Sequence, residues 1–241
     1  MYNLLISLGL AGTVFALLYF GAGIEVGFAV LAAAVVYIAA FFVLSRIFMK
    51  KLTGLMQIAE RDMQAGRIDK SIKVLEGGLK YSRWQLYVKP QINAQIGMVY
   101  YLKRDFRKAF DYLQHGLTRN WASMGMLAIC YMKRNKPKEM KRTFEKAVGV
   151  TKKEPLLWNL YALCLEKIGE KDKAVEVMER GIKKTSEDER LVSNLAALKE
   201  GRKMKMLVYG ELWHQFHLEK PGTLIKQQTK AIQGRRKIVR R

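Results

Sequence analysis

Three histidines and two cysteines form the sparse set from which any metal or nucleophilic chemistry of this 241-residue chain must be drawn. His214 and His217 stand three apart, close enough to share a metal on one helical face, with Glu211 and Glu219 the only carboxylates nearby. A zinc site takes three or four protein donors in a set geometry, so this pair predicts no metal. Cys130 and Cys164 fall on apolar helix faces, where a thiol serves as a small buried side chain rather than a nucleophile. The sequence contains no nucleophile-elbow pattern, phosphate-binding glycine loop or Cys–His arrangement. The expected chemistry is recognition, without an enzyme's catalytic set and without a cofactor. One agent of it is cationic. After Lys220 come Lys226, Lys230, Arg235, Arg236, Lys237, Arg240 and Arg241, with no acid among them. Anionic lipid attracts such residues by about 1 kcal/mol each near its surface, and Leu224, Ile225, Ile232, Ile238 and Val239 would let part of the segment lie in the interface. Nucleic acid competes for the same charge. No aromatic for base stacking follows Phe216, which favours anionic lipid headgroups or an acidic protein partner.

The elements that position these residues follow from how charge and apolar residues are distributed. The chain carries 43 Lys and Arg against 21 Asp and Glu, a formal charge of +22, yet half of it is apolar. The two properties separate along the sequence. Residues 1–51 hold one acid, Glu25, and three bases, Arg46, Lys50 and Lys51. Two uncharged apolar stretches, about 3–21 and 26–46, each approach the roughly 20 residues a helix needs to cross a hydrocarbon core. Gly21-Ala22-Gly23-Ile24-Glu25 breaks them, so residues 1–48 read as a transmembrane hairpin. The first stretch lacks the basic start of a signal peptide, and no small-x-small cleavage site is followed by a soluble domain. Gly9, Gly12 and Ala16, facing Ala29, Ala33 and Ala40, would let the two helices approach closely. The break holds no Lys or Arg, whereas bases follow the second span at once, which places both termini in the cytoplasm.

Beyond the hairpin the sequence repeats. Ala59, Gly97, Ala128, Ala162 and Ala196 align at intervals of 38, 31, 34 and 34 residues. Twelve positions after each comes Ser71, Ala109, Met140 or Ala174; sixteen after, Leu75, Leu113, Phe144 or Met178; nineteen after, Gly78, Gly116, Ala147 or Gly181. Small residues sit where two antiparallel helices touch, and large ones fill the gaps between successive pairs. The pattern resembles the tetratricopeptide repeat (TPR), most clearly over Pro155-Leu-Leu-Trp158, Tyr161-Ala162, Gly169, Ala174, Met178 and Gly181-Ile182. The resemblance spans about Leu52 to Met206 and departs from the family at Asp62, where an aromatic is usual, and at Met140, where a small residue is usual. Phe48 to Ala65 reads as helix, so the second span is expected to run unbroken into the first repeat. The layout is also similar to that of two-pass repeat proteins from bacterial haem-biosynthesis operons, although their longer loop between spans is missing here.

The resulting expectation is an all-α chain: a transmembrane helical hairpin, then a TPR superhelix of about four repeats plus a capping helix. The boundaries are 1–48 for the hairpin and 49–204 for the repeats (about 52–85, 90–123, 121–154 and 155–188, with an extra helix at 189–204). An amphipathic aromatic helix and the polybasic tail occupy 205–241. In such a fold the first helix of each repeat lines a concave face, which implies a groove of Gln91, Gln95, Met98, Tyr101, Met126, Ile129, Met132, Asn159, Leu160 and Leu163. The Lys, Arg and Asn set that clamps a peptide carboxylate is absent, and the Met-rich lining suits an amphipathic helix or apolar peptide. Met206 to Lys220, with Leu212, Trp213 and Phe216 on one helical stripe, is the alternative occupant from within the chain. The functional expectation is a scaffold or adaptor at a bacterial inner membrane that recruits protein partners. A tether for RNA or ribosomes through the tail, or a structural subunit of a larger membrane complex, are the alternatives.

Overall fold

A computed structural model describes residues 1–219, and among them there are helices and no strand. The basic tail, including Lys226, Lys230, Arg235, Arg236, Lys237, Arg240 and Arg241, lies outside the described residues. The fold is all-α, and it divides into two compact units, Met1–Ser123 and a second that begins at Met124.

In the first unit, α1 (Tyr2–Ala16) ends in a π-helical turn, Leu17–Gly21, and packs along α2 (Val26–Gln64). The continuous helix Tyr2–Gly21 and α2 are both long and apolar enough to cross a membrane. Their apolar side chains have little cover from the rest of the chain: Leu17, Phe20 and Phe28 are 70, 78 and 69% exposed. An apolar surface this extensive needs an apolar solvent or partner. The second helix continues without interruption for 39 residues, and its far half pairs with α3 (Ile68–Gly78). A 3-10 turn, Leu79–Arg83, leads to the antiparallel pair α4 (Val88–Leu102) and α5 (Phe106–Leu113). Leu52, Ala59, Ile72, Leu75, Val88, Ile92, Ile96 and Val99 form the core of this unit.

The second unit contains most of α6 (Trp121–Lys133), then α7 (Pro137–Val150), α8 (Pro155–Lys167), α9 (Lys171–Lys184) and α10 (Glu189–Lys199). Pro137 and Pro155 occupy first-turn positions, where the missing N–H has no helical partner to lose. The chain then forms a 3-10 turn, Met206–Tyr209, and a single helical turn, α11 (Glu211–His214).

The repeat spacing acts through packing and through the turns. Leu75, Leu113, Phe144 and Met178 are all buried, and so are Ser71, Ala109, Met140 and Ala174. Met140 is therefore accommodated in the core despite its size. Between the paired helices a single residue adopts a left-handed conformation: Gly66 (φ 74°), Arg104 (65°), Asn135 (54°) and Gly169 (85°). These positions follow the same intervals as the small residues. At each turn the next residue's N–H donates five residues back: Arg67 to Asp62, Asp105 to Tyr100, Lys136 to Tyr131, and Glu170 to Leu165. This is the helix-terminating hydrogen bond of the Schellman type. Asp62, standing where an aromatic is usual, reinforces its turn by accepting from Arg67 at 2.7 Å (Nη2) and 2.9 Å (Nε).

One register differs from expectation. In α10 it is Ala197 and Leu198 that are buried, while Ala196 is exposed. The start of this helix is set by Asp188, whose carboxylate accepts from the N–H groups of Arg190 and Leu191. It follows a connection in which Ser186 and Glu187 both have positive φ, so the 34-residue interval does not carry through.

The closeness of the pairs gives a direct test. A Cβ built on Gly97 would lie 2.7 Å from Leu113 Cγ and 3.0 Å from the Leu113 backbone nitrogen, whereas one on Gly149 meets nothing within 4 Å. Gly97→Ala should therefore lose about 1–3 kcal/mol through overpacking. Gly149→Ala should gain about 0.5–1 kcal/mol from helix propensity. Denaturation of the full chain in detergent, followed by circular dichroism, checks both signs.

Candidate functional site

The inner faces of the two units differ. In the first unit a cleft of about 260 Å³ opens between α2, α3 and α4. Met56, Ala59, Glu60 and Met63 come from α2, Ser71 and Leu75 from α3, and Gln95, Met98, Val99 and Leu102 from α4. Ala59 and Ser71 set the depth of this cleft, because the Ser71 hydroxyl donates to the Ala59 carbonyl at 2.7 Å and holds α3 against α2. Gln91 Nε2 reaches Met56 Sδ at 3.5 Å, and Asn120 Nδ2 reaches Met98 Sδ at 3.6 Å. The two thioethers are thus oriented by weak acceptor contacts. Gln95 and Met98 are half-buried, as the walls of an open cleft should be, while half-buried Gln91 and fully buried Tyr101 take no part in its lining.

Sequence reasoning missed the contribution of α2. The signal was present: counted from Leu52, Met56, Glu60 and Met63 are the fifth, ninth and twelfth positions. These are the positions that pick out the inner face in later repeats.

In the second unit the corresponding face is occupied by the chain itself. Met126, Ile129, Asn159 and Leu160 are fully buried, and Met132 and Leu163 half-buried. The first four are therefore interior residues and not an open groove. Gly125 shows how tightly the face is filled, since a Cβ there would lie 2.8 Å from Leu160 Cδ2 and 3.2 Å from Phe216 Cε1. Met206, Tyr209, Trp213 and Phe216 of the C-terminal segment are all buried. Polar contacts fix its position. Asn159 Nδ2 donates to the Tyr209 hydroxyl at 2.6 Å, Asn194 Nδ2 donates to Asn159 Oδ1 at 2.8 Å, and the Lys205 N–H donates to Asn194 Oδ1 at 2.7 Å. Burial pushes the Tyr209 hydroxyl well above the usual tyrosine range, and the Arg190 guanidinium lies 4.6 Å from its ring centre.

The conformation of this segment, described to residue 219, differs from the amphipathic helix expected for Met206 to Lys220. Gly210, at φ 57° and ψ −133°, separates the 3-10 turn from α11. Trp213 and Phe216 consequently point inward while Leu212 is exposed, so the three do not form one stripe. Trp213 Nε1 donates to Glu219 at 2.8 Å, which satisfies the indole within the segment. Among the described residues no group of three or more His, Cys, Asp or Glu could hold a metal ion, and His214 and His217 belong to no such group.

A second hollow, about 240 Å³, lies among α7, α8 and α9, lined by Glu145, Trp158, Arg180, Lys183 and Lys184 together with Lys152. Arg180 closes it by donating two hydrogen bonds to Glu145, at 3.0 and 2.8 Å, and holds that carboxyl below the usual carboxylate range. Burial pushes the Cys130 thiol up to about 11 and the Cys164 thiol up to about 12.

A tetratricopeptide repeat model matches residues 156–183, the helix pair α8 and α9. A search of curated proteins finds no match. Solved structures similar to this chain include MamA, at 14% identity and TM-score 0.45, covering 75% of this chain and 92% of that one. A MamA RS-1 double mutant aligns at 15% identity and TM-score 0.47, covering 69% and 93%. Nearly identical TPR-like repeats assigned to a kinesin light chain of Podosopora anserina align at 15% and TM-score 0.48, also covering 69% and 93%. Repeats of this type build extended surfaces for protein partners.

Two measurements follow from this arrangement. Phe216→Ala should cost about 3–5 kcal/mol as a buried aromatic truncation. Hydrogen exchange should then show protection lost over 206–219 first. Both thiols, with their raised pKa values, should resist alkylation at about pH 8 in the folded chain and react once it is denatured.

Proposed function

We propose that this protein is a membrane-anchored scaffold that seats an amphipathic helix of a protein partner in the cleft between α2 and α4. The observation that carries the reading is the contrast between the two inner faces. The second is filled by the chain's own Tyr209, Trp213 and Phe216, whereas the first stays open and is walled by Met56, Met63 and Met98. Methionine side chains repack around apolar partners of varied shape, and Gln95 and Glu60 at the rim supply orientation.

The hairpin gives the scaffold its location. It lies in a bacterial inner membrane, with Arg46, Lys50 and Lys51 retained in the cytoplasm together with both termini. Holding the cleft at the membrane raises the local concentration of whatever binds there. Lys226, Lys230, Arg235, Arg236, Lys237, Arg240 and Arg241 add attraction to anionic headgroups. The activity is binding, not catalysis.

The test is recovery of partners from native membranes by the full chain carrying Met98→Asp. A carboxylate in this apolar wall should reduce recovery by about tenfold or more, as truncating a binding hot spot does. Helix content and melting should be unchanged, because Met98 is only half-buried. Unchanged recovery with the fold intact would reject the cleft. Loss of recovered partners on nuclease treatment, with no effect of Met98→Asp, would point instead to nucleic acid on the basic tail.

A further inference from the structure

Trp84 makes contacts that the repeat pattern does not require. Its ring stacks on Phe48 with centres 4.4 Å apart and meets Tyr2 edge-on at 5.2 Å. Tyr2 opens the first apolar helix, and Phe48 lies just past the apolar stretch of the second. The loop that closes the first repeat therefore returns to the end of the hairpin, at the level where its two helices leave their apolar segment. Tyr81 joins the group 6.0 Å from Phe48, and Lys51 and Lys80 lie 5.5 and 5.2 Å from the Phe48 and Tyr81 ring centres.

We infer that the segment Leu79–Lys89 is a second membrane contact, a collar that binds anionic phospholipid headgroups at the cytoplasmic end of the hairpin. It rests on the reading of the hairpin as membrane-spanning. Charge and amphipathicity agree on this ligand. Lys80, Arg83 and Lys89 are exposed, and residues 77–104 contain no acid to neutralise them. Arg46, Lys50 and Lys51 at the end of the second span continue the same cationic band. Leu86 and Tyr87 are 53 and 61% exposed although apolar, and Trp and Tyr are the residues that favour the boundary between hydrocarbon and headgroups. A protein partner on this loop would have to accept three cations beside a bilayer that already carries the opposite charge, so lipid is the favoured occupant.

The experiment uses the full chain in phosphatidylcholine vesicles, with and without phosphatidylglycerol, and with brominated acyl chains as the quencher. Environment-sensitive labels are placed singly at Leu86→Cys, at Phe28→Cys within the hairpin and at Gln64→Cys, exposed at the far end of α2; Cys130 and Cys164 are buried and stay unlabelled. The expected result is loss of fluorescence at 28 and at 86 but not at 64. The loss at 86 should deepen with phosphatidylglycerol, and that deepening should disappear in K80Q/R83Q/K89Q. Quenching at 28 with none at 86 would overturn the collar and leave the hairpin reading standing. A quench at 86 that ignores phosphatidylglycerol would overturn the headgroup assignment. Absence of quenching at 28 would overturn the spanning hairpin, and the collar with it.

Discussion

The hydrogen-bonded continuity of α2 is the constraint on which the first unit depends. Its 39 residues extend about 58 Å at 1.5 Å per residue. The first half carries exposed Phe28, Leu31, Val35 and Ile38, and the second half contributes Leu52, Ala59 and Asp62 to the packed repeat. A helix has no soft joint unless Pro, a π-bulge or an inserted side chain makes one. The apolar hairpin and the first repeat are therefore parts of one rod, and every contact that α3 and α4 make with it is made at a set height along that rod. The loop at Trp84 returns to Phe48 because α3 and the 3-10 turn after it, Ile68–Gly78 and Leu79–Arg83, together retrace the stretch of α2 from Gln64 back to Phe48.

Much of this organisation is legible in the residues. The apolar stretches, the small and large positions of the repeats and the uninterrupted exit from the second span are all local or periodic features. Such features survive reading one sequence at a time. The turn residues Gly66, Arg104, Asn135 and Gly169 recur at the same intervals, yet two of the four are not glycine, so composition alone hides them. What could not be read is tertiary competition. The inner-face positions of the second unit have the same residue types whether a partner or the chain's own Phe216 fills them. The register of α10 depends on where Asp188 caps it, and the break at Gly210 decides which aromatics turn inward. Trp84 carries no periodic signature, because its partners Tyr2 and Phe48 are fixed by three-dimensional closure.

The two inner faces also differ in how their polar groups are handled. In the second unit Asn159 and Asn194 are fully buried and pass hydrogen bonds from Lys205 through to Tyr209, so the seated segment satisfies groups that would be costly if left unmade. In the first unit the cleft holds thioethers, an amide and an exposed carboxylate, none of which requires a partner to remain stable. One face is closed by necessity and the other is left open at little cost.

The filling of the second inner face has a consequence for the order of synthesis. Residues 206–219 leave the ribosome after α6 and α8 have already emerged, while α1 and α2 precede everything else. During elongation the hairpin is thus complete at a time when Gly125 and Leu160 still border an apolar trough, to be sealed only when Phe216 arrives. The nascent chain passes through a stage in which its first helices are complete while the second unit still waits for its last aromatic residues to close the fold.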